Sequence, residues 1–147
     1  MQNLNTTHRA EIKERSEIYV PAGSSRTSFI DVRDIAAVAA RALTEPGRTH
    51  KAYDLTGGEA LDYWQAAEII SKELGRRITY RNPNPLAFLV NHVRRGAPIM
   101  VALVMTGLYL STRFGMADIV TQDVEHVTGH TPLTFAQYVR DYREAWL

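Results

Sequence analysis

IYVPAGSSRTSFIDVRDIAAVAARALTEPG, residues 18–47, is the stretch whose reading decides the fold, because extended and helical signals follow one another within it. Glu17 to Val20 (EIYV) is β-rich and predicts a short strand, stopped by the turn residues Pro21-Ala22-Gly23. Ser28 to Ile30 predicts a second short strand. A helix is expected from Val32 to Leu43, with Ile35, Val38, Ala39 and Ala42 at helical spacing. Asp31 precedes it as an N-cap, since its carboxylate accepts from an otherwise unpaired N–H of the first turn. Asp34 lies in that positively polarised turn, and Pro46-Gly47 closes the segment.

The same alternation continues outward. Ala52 to Leu55 (AYDL) reads as a strand and Gly57-Gly58 as its turn. Asp62 opens the clearest helix, with Gln65 completing a variant capping box and Leu61 and Ala66 placed as a hydrophobic staple. Leu61, Trp64, Ala67, Ile70 and Leu74 form its expected apolar stripe, and Gly75 falls at the left-handed C′ position. Ile78 to Tyr80 is another short strand. Pro83 and Pro85 start a helical stretch to Arg95, and Pro98 starts an apolar helix. Thr134 and Gln137 pair at the head of a last helix, Phe135 to Trp146, with Phe135, Tyr138, Val139, Tyr142 and Trp146 on one face. Residues 2–14 are polar and of helical character. Three or four short strands with five or six helices form one domain over residues 1–147. The class is α with β, with too little strand for a complete doubly wound sheet.

The 147 residues suffice for a core without metals or disulfides. A net charge of +1 gives no field to gather nucleic acid or an anionic membrane, so neither is an expected partner. The absence of cysteine excludes disulfides, thiolate metal sites and Cys nucleophiles, and fits a cytoplasmic setting. Met1 to Ala10 has no apolar region of the signal-peptide kind. The longest apolar run, Ala97 to Leu110 (APIMVALVMTGLYL), falls short of the ~20 residues that span a bilayer. It reads as a buried or interface helix.

No self-sufficient catalytic set emerges from residue chemistry. The glycines stand at 23, 47, 57, 58, 75, 96, 107, 115 and 129 and form neither G-x-G-x-x-G nor a P-loop, so no dinucleotide-binding residues are expected. No tyrosine has a lysine four residues on; Tyr109 has Arg113 there, which is too basic to share protons. His126 and His130 have metal-ligand spacing, but Gly129 weakens the helix and a third ligand is missing, so no metal is expected. Ser24-Ser25 lack the nucleophile-elbow pattern and read as turn residues. Arg76, Arg77 and Arg81 read as solvated rather than phosphate-binding.

MQNL (1–4), the stretch 18–47, AYDLTGGEALDYWQAAEIISKELGRRITY (52–80) and DVEHVTGHTPLTFAQYVRDYREAW (123–146) together resemble the C-terminal, substrate-side part of NmrA-like proteins, atypical extended short-chain dehydrogenases/reductases. The resemblance covers nearly the whole chain. It implies an α/β fold (α+β taken alone), the C-terminal portion of a Rossmann-type NAD(P)-binding protein whose glycine-rich half is absent here. It further implies an NAD(P)H-dependent oxidoreductase of quinone-reductase type, inactive as this segment alone. The alternatives are a non-catalytic redox-sensing module, a self-associating fragment, or a nucleoside-diphosphate-sugar epimerase-like protein. By family position Met1, Gln2, Asn3, Arg26 and Ser28 are the substrate-pocket candidates. Catalytic residues are left unassigned, the helices from 84 to 115 wall the pocket or meet a partner, and NAD(P)H binding belongs to the full-length family. A small molecule such as a quinone, a second copy of the chain, or the missing half are the expected partners.

Overall fold

The computed structural model describes residues 1–48 and 50–147. The described residues form seven α-helices, two short strands and two 3-10 turns. Strand β1 (Glu17–Tyr19) pairs in parallel with β2 (Thr79–Arg81), Ile18 opposite Tyr80. The crossover between them carries helices α2 (Val32–Thr44) and α3 (Tyr63–Leu74). Ahead of β1 lie a 3-10 turn (Gln2–Leu4) and α1 (Arg9–Arg15). After β2 come the hairpin α4 (Pro85–Arg94) and α5 (Ile99–Arg113), then α6 (Asp123–Thr128) and α7 (Phe135–Asp141). No described helix is long and apolar enough to cross a membrane.

Local chemistry sets the helix ends as the sequence predicts. The Asp31 carboxylate accepts from the Arg33 N–H at 2.9 Å. Asp62 and Gln65 form the reciprocal capping box, at 2.8 and 3.0 Å. Gly75 closes α3 with a φ of 66°. Thr134 caps α7, which breaks after Asp141 into a second 3-10 turn (Arg143–Ala145) instead of running on to Trp146.

Two expected strands do not form, and the reason is where their backbone groups go. In the segment 28–30, Phe29 N–H turns back to Thr27 O and Ser28 N–H reaches Ala117 O, leaving only an isolated bridge between Thr27 and Leu61. Over 52–55 the Asp54 N–H is taken by the Asp123 carboxylate at 2.7 Å, and the Thr121 hydroxyl donates to Asp54 O. Side chains near α6 replace a neighbouring strand.

The core joins Ile18 and Tyr80 of the sheet to Ile12, Ala66, Ala67, Ile70, Phe88, Tyr138, Val139 and Trp146. Arg76, read from sequence as solvated, ties this core to its covering: it donates to Ser16 Oγ, to Ile12 O at 2.9 Å and to Trp146 O at 3.0 Å. The α3 stripe is rotated from the expected one, with Tyr63, Ala66, Ala67 and Ile70 buried. Trp64 lies at the edge, its indole set edge-on against Tyr80 at 4.7 Å. A satellite cluster joins Val38 of α2 to Val124 and Val127 of α6. Of the residues placed at helical spacing on α2, Val38 is buried while Ile35 and Ala39 are exposed. Helix α5 turns its small residues Ala102 and Thr106 inward and exposes Ile99, Met100, Val104 and Leu108.

Candidate substrate site

A cavity of about 540 Å³ lies between the 3-10 turn, the segment 27–30, the head of α3 and the inner side of α5. Its apolar wall includes Leu4, Phe29, Val101, Met105 and Leu108. Its polar positions include His8, Thr27, Tyr63 and Tyr109. An apolar hollow with a few placed polar groups suits a small organic ligand.

The polar corner is built from residues distant in sequence. His8 is 1% exposed and sits just before α1. Its Nε2 lies 2.6 Å from the Tyr109 hydroxyl and its Nδ1 3.1 Å from Glu11 Oε2. The other Glu11 oxygen accepts from Arg95 at 2.6 Å. Burial pushes the Glu11 carboxyl up, but the His8 hydrogen bond and the positive charges of His8, Arg95 and His92 outweigh it and hold it below its ordinary value. His8 thus bridges the Glu11 carboxylate to the Tyr109 hydroxyl through its two ring nitrogens.

Burial, with the neighbouring Tyr63 and Glu11, pushes the Tyr109 phenol far up, and burial does the same to Tyr63. Both stay neutral hydroxyls, the reverse of a phenol activated by lysine. Arg113, the residue four on from Tyr109, packs on Gly23 and reaches Asn82 instead. The Thr27 hydroxyl is buried beside the Tyr63 hydroxyl.

Of the pocket residues expected by family position, Met1, Asn3 and Ser28 line this cavity. Gln2 turns away from it and clasps the start of α2, donating to Asp31 Oδ1 and accepting from the Val32 N–H, both at 3.0 Å. Arg26 is exposed and outside the cavity lining. His8, Tyr63 and Tyr109 were not foreseen as site residues. The spacing of His8 and Glu11, three apart on a polar helix, was the available signal for the first of them. A second hollow of about 450 Å³ shares Met1 and Phe29 with the first and opens toward Pro132 and Phe135.

The described residues hold no cluster of three metal-ligating side chains, and Gly129, with a φ of 77°, ends α6 between His126 and His130. At the carboxyl end of β1 the Gly23 N–H is already bound to Asn82 Oδ1 at 3.1 Å and the Gly23 carbonyl to the Tyr80 hydroxyl at 3.2 Å. No helix begins there to present free N–H groups.

No protein-family model matches the chain. It is 35% identical to the NAD(P)H azoreductase of Xenophilus azovorans, over 99% of this chain and 51% of that protein. It is 34% identical to the agroclavine dehydrogenase of Claviceps fusiformis, over 100% of this chain and 52% of that one. Its fold superposes on the NADPH-dependent quinone oxidoreductase QOR2 of Escherichia coli with a TM-score of 0.86 at 24% identity, over 95% of this chain and 50% of the other. These relatives and fold neighbours are consistent with a chain similar to the C-terminal part of the NmrA-like atypical short-chain dehydrogenases/reductases. The chain matches the C-terminal part of their Rossmann-like fold and spans about half the length of the curated relatives it matches.

Proposed function

We propose that this chain forms the substrate side of an NAD(P)H-dependent reductase acting on planar, conjugated and largely apolar small molecules of the quinone or azo-dye kind. The observation that carries the reading is the cavity itself. Its volume of about 540 Å³ suits a two-ring aromatic, and its mostly apolar wall carries hydroxyls and an imidazole among its polar positions. The relatives' names support the class: one reduces azo compounds and one fold neighbour reduces quinones, each with a nicotinamide dinucleotide. That cofactor supplies the hydride in such reductases. In this reading residues beyond the present chain hold it, while Met1, Asn3 and Ser28 shape the substrate's surroundings.

The exposed apolar side chains of α5, with Val32 and Ile35 of α2, support a covering partner, the nucleotide-binding half of the family. Calorimetric titration of the purified chain tests the division of labour. Saturable binding of 1,4-naphthoquinone and none of NADPH is the expected result. Saturable NADPH binding refutes the division, and no naphthoquinone binding refutes the substrate-side reading.

A further inference from the structure

The second hollow differs from the first in charge. It holds about 450 Å³ and abuts the first at Met1 and Phe29, which line both. Two carboxylates line it, those of Glu59 and of Glu125 in the first turn of α6. Neither forms an ion pair with a described residue. No lysine, arginine or histidine side chain lines the hollow. The Met1 ammonium at its edge is engaged elsewhere, donating to the Ile30 carbonyl at 2.6 Å and lying near Asp31. Two like charges on one hollow repel, and a cation between them removes that repulsion.

The rest of the lining says which kind of cation. Phe29 and Phe135, their ring centroids 5.1 Å apart, give the hollow aromatic surface. The described residues offer no third side chain to complete a metal site. An organic ammonium is attracted by carboxylates and aromatic rings together. Met1, an unbranched and adaptable thioether, stands where the two hollows meet.

We infer that the two hollows form one elongated site for an aromatic amine, its ring in the first and its protonated amino group in the second, beside Glu59 and Glu125. This rests on the substrate-side reading above and adds a positive charge to its ligand class. Glu59 and Glu125 set the specificity for the charge, and the apolar first hollow takes the ring.

The experiment titrates the full chain by calorimetry with three probes of one ring system: naphthylethylammonium, its neutral counterpart naphthylethanol, and the anion naphthylacetate. At neutral pH and low salt the ammonium is expected to bind about fivefold to tenfold tighter than the alcohol, and the anion more weakly than either. The preference shrinks as salt rises. Glu59→Gln and Glu125→Gln each remove part of it, and the double variant removes it all while naphthylethanol affinity stays unchanged. Both side chains are exposed, so the variants keep the fold.

Equal binding of ammonium and alcohol, or a preference that survives the double variant, overturns the inference. So does a chain that binds 1,4-naphthoquinone but not the ammonium; in each of these cases the cavity still stands as a ligand site. If neither the naphthyl probes nor 1,4-naphthoquinone bind, the substrate-side reading itself has failed and this inference falls with it.

Discussion

Gly57→Ala is expected to destabilise the chain strongly although Gly57 has no left-handed backbone. A Cβ built at this position meets the Phe29 carbonyl oxygen at 2.0 Å and its carbon at 2.9 Å. The Phe29 carbonyl must withdraw by about 1 Å to reach even the 3.0 Å below which real Cβ contacts essentially never fall. The obstacle is backbone, so no rotamer change relieves it. Phe29 cannot retreat freely, because its ring is wedged against Phe135 at 5.1 Å and Tyr63 at 5.4 Å. Overpacking of this kind costs about 1–3 kcal/mol, and a backbone obstacle belongs at the upper end. At roughly 2–4 °C per kcal/mol for a chain of this size, the melting temperature falls by about 6–12 °C. Gly58→Ala is the matched control. There the new Cβ meets only Pro132 Cδ at 3.9 Å, an ordinary contact, so the change stays within about 0.5 kcal/mol. Thermal unfolding followed by circular dichroism measures both. A Gly57→Ala midpoint within a degree of wild type, or equal losses at the two positions, refutes the close-approach argument.

Asp31 and Asp34 head the same helix but respond oppositely to pH. Burial pushes the Asp31 carboxyl up, yet hydrogen bonds from Arg33 and Gln2 more than reverse it, and it stays below its ordinary value. Its contribution is therefore complete above the unfolded value of about 3.9 and drains away as pH falls through the lower folded value. Asp31→Ala is expected to cost about 2 kcal/mol at pH 7 and progressively less in acid, as urea unfolding at several pH values would show. Burial, with Asp31 nearby, holds the Asp34 carboxyl above its ordinary value. Its favourable contribution is complete below about 3.9 and lost as pH rises through the higher folded value. Asp34→Asn, whose amide oxygen still accepts from the Leu133 N–H, thus gains on wild type between pH 3.5 and 7, and a constant difference across that range would contradict the sign. Arg76→Ala frees the carbonyls of Ile12 and Trp146 and is expected to cost about 1–3 kcal/mol, with the C-terminal turn cleaved faster in limited proteolysis.

What the sequence disclosed well was chemistry acting within four residues. Asp31, the Asp62–Gln65 box and Gly75 do what capping rules require. The strands of residues 28–30 and 52–55 were misjudged because propensity registers side-chain shape, whereas the outcome depended on which distant groups took the backbone N–H and C=O. The α3 stripe shifted for a related reason. Trp64 satisfies a helical period as well as Tyr63 does, and only the position of Tyr80 decides that the indole stays at the rim.

The candidate site shows the same limit more sharply. Tyr109 was legible as a chemical possibility, but the search for its partner ran along the helix, to Arg113. Its actual partner stands 101 residues away. The pairing has a physical logic that reads in one direction only. Once Glu11 is buried beside Arg95, it stays ionised and needs a donor on its second oxygen. His8, one turn earlier, is the donor in reach, and a histidine buried at 1% must then satisfy its other nitrogen. That nitrogen points to α5, where Tyr109 offers its hydroxyl over an otherwise apolar helix. The chain of obligations runs from a surface arginine to a cavity wall, each link following from the one before. It explains why the most apolar helix of the protein carries a tyrosine at position 109, where phenylalanine would fill the same space and leave His8 unpaired.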